Sequence, residues 1–216
     1  MITENQHLEA LQDIKKIMER SSRFLSLSGL SGIAAGILAL AGAFAAKKIL
    51  AAYYANYSIT GQFSDAAFHQ LKVRLLLVAA VVLGAALVAA FYFTRRRAKK
   101  NNLPVWDSSS RKLVAALLIP LIAGGIFILS MLQYSEWRFV APGCLIFYGL
   151  ALVNASKYTL TDVKYLGLLE IVLGLVNTQF TTYGLYFWAV GFGILHITYG
   201  IIMWMKYERN EPLREK

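Results

Sequence analysis

The chain has 216 residues, a net charge of +10, one cysteine and 57% hydrophobic residues, with a mean hydropathy of +0.52. One cysteine excludes an intramolecular disulfide and a thiolate metal cluster. The hydropathy excludes an ordinary soluble domain, and the positive charge is distributed in a way that argues against nucleic acid.

The first segment, "TENQHLEALQDIKKIMERSSRF", pairs Thr3 with Gln6 as a capping box. Leu8, Leu11, Ile14, Met18 and Leu25 recur at helical spacing. Residues 1–23 are therefore expected to form a cytoplasmic amphipathic helix. Its flanks carry four acids and four bases, less basic than a helix that lies on lipid. Residues 3–23 are thus a candidate contact for a cytoplasmic protein partner, or for the rest of this chain.

Residues 24–216 then read as a membrane domain. Uncharged runs at 24–46, 75–94 and 113–135, read as spans over 24–46, 73–94 and 113–133, each reach the roughly 20 residues needed to span hydrocarbon. Runs at 139–156, 165–180 and 184–205 complete six expected spans, the last two split by the polar "NTQFTTYG". Unpaired backbone groups are not tolerated in lipid, so the spans should be helices. The fold class is all-α: a polytopic membrane protein with six transmembrane helices arranged as three antiparallel hairpins. The hairpins follow from the short connections at 134–138, 157–164 and 181–183.

In span one, Ser28, Gly32 and Gly36 repeat every four residues, and Gly167 and Gly174 mark span five. Small residues at such spacing let helix backbones approach, within one chain or in a homo-oligomer. The longer loop, 47–72, contains "YYANY" and "SDAAFHQL", which suggest helical extensions with Ser64 as a cap. Asp107 and Asp162 read as helix-start residues, and Pro120 as a kink in span three.

Seventeen of the 22 Lys/Arg residues fall on the side of the termini and of "RRRAKK", Arg95 to Lys100. Only Lys47, Lys48, Lys72, Arg74 and Arg138 fall on the other. The positive-inside rule places both termini in the cytoplasm of a cell whose inner (plasma) membrane the chain crosses repeatedly. The lipid bilayer is its first partner, and no nucleic acid is expected.

"ERSSRFLSLSGLSGIAAGI" and "HITYGIIMWMKYER" resemble the opening and end of a family of uncharacterised bacterial six-span membrane proteins. That resemblance covers most of the chain and implies the six-span fold, but no activity and no site residues. "LGLLEIVLGL" is similar to a stretch of the HdeD-type acid-resistance membrane proteins, and nothing more is carried over from it.

Glu170 is the sole acid well inside an expected span, and His196 is the sole intramembrane histidine. Each lies thirteen residues from position 183, at the turn of the last hairpin, so antiparallel helices bring them to one depth. Asn177, Gly167 and Gly174 share the helical stripe of Glu170. Asn154 and Tyr148 of span four and Tyr199 of span six complete a candidate polar cluster. Hydrocarbon penalises the charged form of a lone carboxyl, so Glu170 needs a polar partner. The cluster supports two readings, a proton or ligand site and hydrogen bonds that fix the bundle. No nucleophile–base pair, metal motif or nucleotide loop is present, so no enzymatic activity, metal or cofactor is expected. The leading expectation is a protein that binds or translocates a small solute, ion or lipid through its bundle. The alternative is a membrane sensor or assembly protein that acts through its N-terminal helix.

Overall fold

The structure is a computed structural model that describes residues 24, 27–61 and 64–209. The amphipathic segment 1–23 lies outside the described residues. Among those described there are helices and no strands.

Helix α1 runs Gly29–Thr60 and α2 Asp65–Lys100. The expected loop 47–72 is thus almost wholly helical, and Ser64 Oγ accepts from Ala67 N at 3.4 Å as the cap of α2. Helix α3 spans Ser108–Gln133, opened by a capping box in which Asp107 Oδ1 accepts from Ser110 N at 2.7 Å. Helix α4 covers Val140–Ala155 and α5 Val163–Gln179. A single 3₁₀ turn, Thr181–Tyr183, leads into a continuous helical run. That run comprises α6 (Gly184–Trp188), a π-helical segment (Ala189–Leu195) and α7 (His196–Tyr207).

Five of these runs are long and apolar enough to cross a membrane: Gly29–Thr60, Asp65–Lys100, Ser108–Gln133, Trp137–Tyr158 and Thr181–Tyr207. Their apolar side chains face outward, with Val88 71% and Ile119 69% exposed. Such a surface is untenable in water and ordinary in lipid. It is the pattern of a multi-pass membrane protein. Helix α5 has 17 residues, at the short limit for a span.

Loop length sets only some of the helix pairs. Helix α1 lies against α2, and α3 against α4. Helix α5 packs most extensively on α4 across the short connection 157–164, whereas the last run, joined to α5 by a single turn, takes α1 as its main neighbour. Glycines allow both crossings. A Cβ on Gly167 would sit 2.7 Å from Gly149 O. A Cβ on Gly200 would sit 2.6 Å from Gly29 O and from Ile33 N. Gly32, Gly36 and Gly174 also face the backbone of a neighbouring helix. Ser28 is buried but serves as a hydrogen-bond donor, to Glu208 Oε1 at 3.1 Å.

One end of the bundle is closed by polar contacts and by the apolar core. Phe24 N donates to Tyr158 O at 2.8 Å, and Thr159 Oγ1 donates to Phe24 O at 2.8 Å. These bonds fix Phe24 on the α4–α5 connection. Leu152, Leu160, Val163, Leu166 and Met203 form the buried cluster beside it. The other end is held by aromatic contacts, with Lys72 over the rings of Phe68 and Trp137, and Lys47 over Tyr186.

Candidate functional site

The glycine-lined crossing of α4 and α5 determines where Glu170 points. Gly167 and Gly174 flank it on the same stripe, and both face α4. With the two backbones in contact, a residue between them is turned into the bundle, and Glu170 is completely buried.

The π segment fits against this carboxyl. A Cβ on Gly191 would lie 2.5 Å from Glu170 Oε2, so the carboxyl occupies space that only glycine leaves open. The wider turn also brings Gly191 O within 3.0 Å of His196 Nδ1. That same Nδ1 is 3.4 Å from Glu170 Oε1. The other ring nitrogen, Nε2, is 2.8 Å from Tyr148 Oη of α4. The ring of Phe192 stacks on the imidazole, with centroids 6.0 Å apart. The sequence-predicted Glu170, His196 and Tyr148 therefore stand in one chain of contacts.

Neither carboxyl oxygen of Glu170 has a hydrogen-bond partner. The reason is the imidazole. A neutral ring carries one N–H, and two acceptors, Gly191 O and Glu170 Oε1, compete for it at Nδ1. Gly191 O is the nearer and holds it, while Tyr148 Oη donates to Nε2. With Nδ1 donating to Gly191 O, the ring's lone pair lies on Nε2, on the Tyr148 side and away from Glu170. The carboxyl therefore faces a ring nitrogen whose hydrogen is already engaged by Gly191 O.

The other predicted residues have separate partners. Asn177 is fully buried and its Nδ2 donates to Phe180 O at 3.1 Å, closing the end of α5, while its Oδ1 has no partner. Tyr199 packs on the Leu152–Met203 cluster with its hydroxyl unpartnered. Asn154 turns toward α3, where its Nδ2 donates to Ala116 O at 2.9 Å. Ala116 stands four residues before Pro120. Proline has no N–H, so this carbonyl lacks its helical donor, and Asn154 replaces it.

Two ionic groupings were not visible in the sequence. Arg97 of the "RRRAKK" run is buried rather than solvated. It donates to Leu27 O and, at 3.1 Å, to Tyr207 O, and its Nη1 stands 3.5 Å from Glu208 Oε1. Glu208 in turn accepts from Gly29 N at 2.5 Å, so the residue after α7 caps the start of α1. Asp162 does not cap α5. Its Oδ2 accepts instead from Lys206 Nζ at 2.7 Å and Tyr207 Oη at 2.6 Å. Burial raises the affinity of Asp162 for a proton, but these two bonds and the Lys206 charge outweigh it and hold the carboxyl below its ordinary value. A cation near the end of α7 was the only available cue in the sequence.

No protein-family model, curated protein or solved structure matches the chain. Among the described residues, no three His, Cys, Asp or Glu side chains converge as a metal site.

Proposed function

We propose that the chain is a six-span, non-enzymatic protein of the inner membrane with both termini cytoplasmic. It binds or moves a small solute or ion through its bundle, with proton exchange at Glu170 and His196. The start of α1 and the end of α7 are hydrogen-bonded to each other through Ser28 and Glu208. Ends on one side require an even number of crossings, and α5 supplies the sixth. The excess of Lys/Arg at that end supports its cytoplasmic orientation. A thiol introduced at exposed Ser108, in a Cys144→Ser background, should react only from the inside.

The observation that carries the functional reading is the fully buried carboxyl with no hydrogen-bond partner. A group that merely fixed helices would be satisfied by its neighbours, because an unmet buried polar group is costly. Glu170 retains unused acceptor capacity beside an imidazole, which suits a group that exchanges protons or meets an incoming donor. The test uses proteoliposomes with a trapped pH dye, driven by sodium or potassium gradients. Wild type should show ion-driven pH change, and Glu170→Gln should fold normally yet lose it. Equal fluxes from wild type and Glu170→Gln would refute a role for this carboxyl.

A further inference from the structure

A second polar site lies at the end of the bundle where α1 begins and α7 ends, apart from Glu170. A pocket of about 400 Å³ opens between the start of α1, the last turns of α2 and the end of α7. Ser28 and Leu30, then Phe93, Arg96, Arg97 and Lys100, and finally Trp204 and Glu208 line it.

The charges in this pocket do not cancel. Arg97 and Glu208 face each other at 3.5 Å and neutralise one another, and Glu208 also binds Ser28 and Gly29 N. These residues form a fixed floor. Arg96 and Lys100 lie on the rim, exposed. Neither has an ion-pair partner among the described residues. Among the described residues, two positive charges thus remain without a counter-charge in the wall of the recess. The remaining wall is apolar, made by Leu30, Phe93 and Trp204. Phe93, Arg96, Arg97 and Lys100 follow helical spacing, so α2 presents an aromatic ring one turn deeper in the membrane than its cations.

A ligand that fits has two negative charges at the headgroup level and a hydrocarbon chain below them. We infer that this pocket binds the headgroup of an anionic phospholipid, with its phosphates on Arg96 and Lys100 and an acyl chain along Leu30, Phe93 and Trp204. A recess between helices with basic residues at the interface is the known physical form of such sites. The two uncompensated cations favour a doubly charged lipid such as cardiolipin over singly charged phosphatidylglycerol. Zwitterionic phosphatidylethanolamine offers acyl chains without net charge and is disfavoured on electrostatic grounds. This inference is independent of Glu170 and of any transport.

The test is native mass spectrometry of the full chain released from detergent, titrated with each of the three lipids. Wild type should retain one cardiolipin in preference to phosphatidylglycerol, and phosphatidylethanolamine weakest. The double variant Arg96→Gln/Lys100→Gln alters two exposed side chains and should fold normally, which its melting temperature without lipid checks. Its cardiolipin affinity should fall by about 25-fold, at roughly a factor of five for each lost charge. Trp204→Ala should weaken cardiolipin while leaving any effect of inorganic phosphate alone unchanged. Equal retention of cardiolipin and phosphatidylethanolamine, or undiminished cardiolipin binding by the double variant, would overturn the inference. If inorganic phosphate stabilises wild type as strongly as cardiolipin, the site takes soluble phosphate compounds and the lipid assignment is wrong.

Discussion

Asn154 and Pro120 form a pair whose energetics can be worked out in advance. Pro120 leaves the buried Ala116 carbonyl without an i+4 donor, and Asn154 Nδ2 supplies one at 2.9 Å. Asn154→Leu keeps the side-chain size and removes the donor. Interhelical hydrogen bonds in membranes average only about 0.6 kcal/mol, because broken partners find substitutes. The Ala116 carbonyl has no substitute while residue 120 is proline, so the cost should be higher, about 1–2 kcal/mol, within the usual range for an orphaned buried acceptor. Pro120→Ala restores the N–H. In that background, Asn154→Leu should cost no more than about 0.5 kcal/mol, giving a coupling energy near 1 kcal/mol. Reversible unfolding in mixed micelles, followed by circular dichroism, would measure all four corners of the cycle. Additivity within about 0.3 kcal/mol would show that the two residues act independently and refute the account.

Gly167→Ala should destabilise by about 1–3 kcal/mol, since the new Cβ meets the backbone Gly149 O at 2.7 Å, and this overpacking exceeds the helix-propensity gain of about 1 kcal/mol. Gly125→Ala, with nothing within 4 Å, should keep that gain, and opposite signs in one melting experiment are the check. Arg97→Ala should cost about 3 kcal/mol by leaving Glu208, whose side chain is only 13% exposed, without its cation. Adding Glu208→Gln should recover part of that loss in the same assay. Asp162→Asn should cost about 1 kcal/mol at neutral pH, as expected for a pair near the surface. The Asp162 carboxyl is held below its ordinary value of 3.8, so its contribution is present above that pH and fades as pH falls through the lower folded value. Wild type and variant should therefore converge in acid, and stability curves between pH 7 and pH 3 would test this.

Features governed by local periodicity could be read from the sequence. The helix-start roles of Ser64 and Asp107 depend on residues three positions away, and the structure has both caps. The meeting of Glu170 with His196 was readable for a related reason. A one-turn connection leaves little freedom in depth, so equal offsets from residue 183 put the side chains level. Neighbours that depend on the whole bundle were not readable. The glycines of α1 announced a close crossing but not its partner, which proved to be the last helix, met at Gly193 and Gly200. Asn154 was grouped with Glu170 because both are polar and intramembrane. Its actual acceptor depends on how α3 lies against α4. Arg97 belonged to a basic run whose members look alike in sequence. Only the packing of α2 on α1 distinguishes it from Arg96, burying one guanidinium and leaving the other exposed.

The half-buried Glu208 and the fully buried Glu170 differ in how their hydrogen bonds are satisfied. Glu208 sits at a helix start and receives bonds from Ser28 Oγ and Gly29 N, with a guanidinium at 3.5 Å. Its charge is matched by donors that fold into place with it. Glu170 is deeper, at about 10 Å along α5 from its first residue, by the helical rise of about 1.5 Å per residue. It is also more buried and has no donor of its own. The π turn supplies a competing acceptor at Gly191, and the absence of a Cβ there makes room for the carboxyl. A longer apolar side chain at Gly191 or a leucine at 170 would simplify this packing, and α-helical regularity would be cheaper than the π turn. The bundle instead retains an acid, an imidazole and an irregular turn in contact, and π turns of this kind recur at functional sites. This combination is the basis on which proton exchange at Glu170 and His196 is proposed.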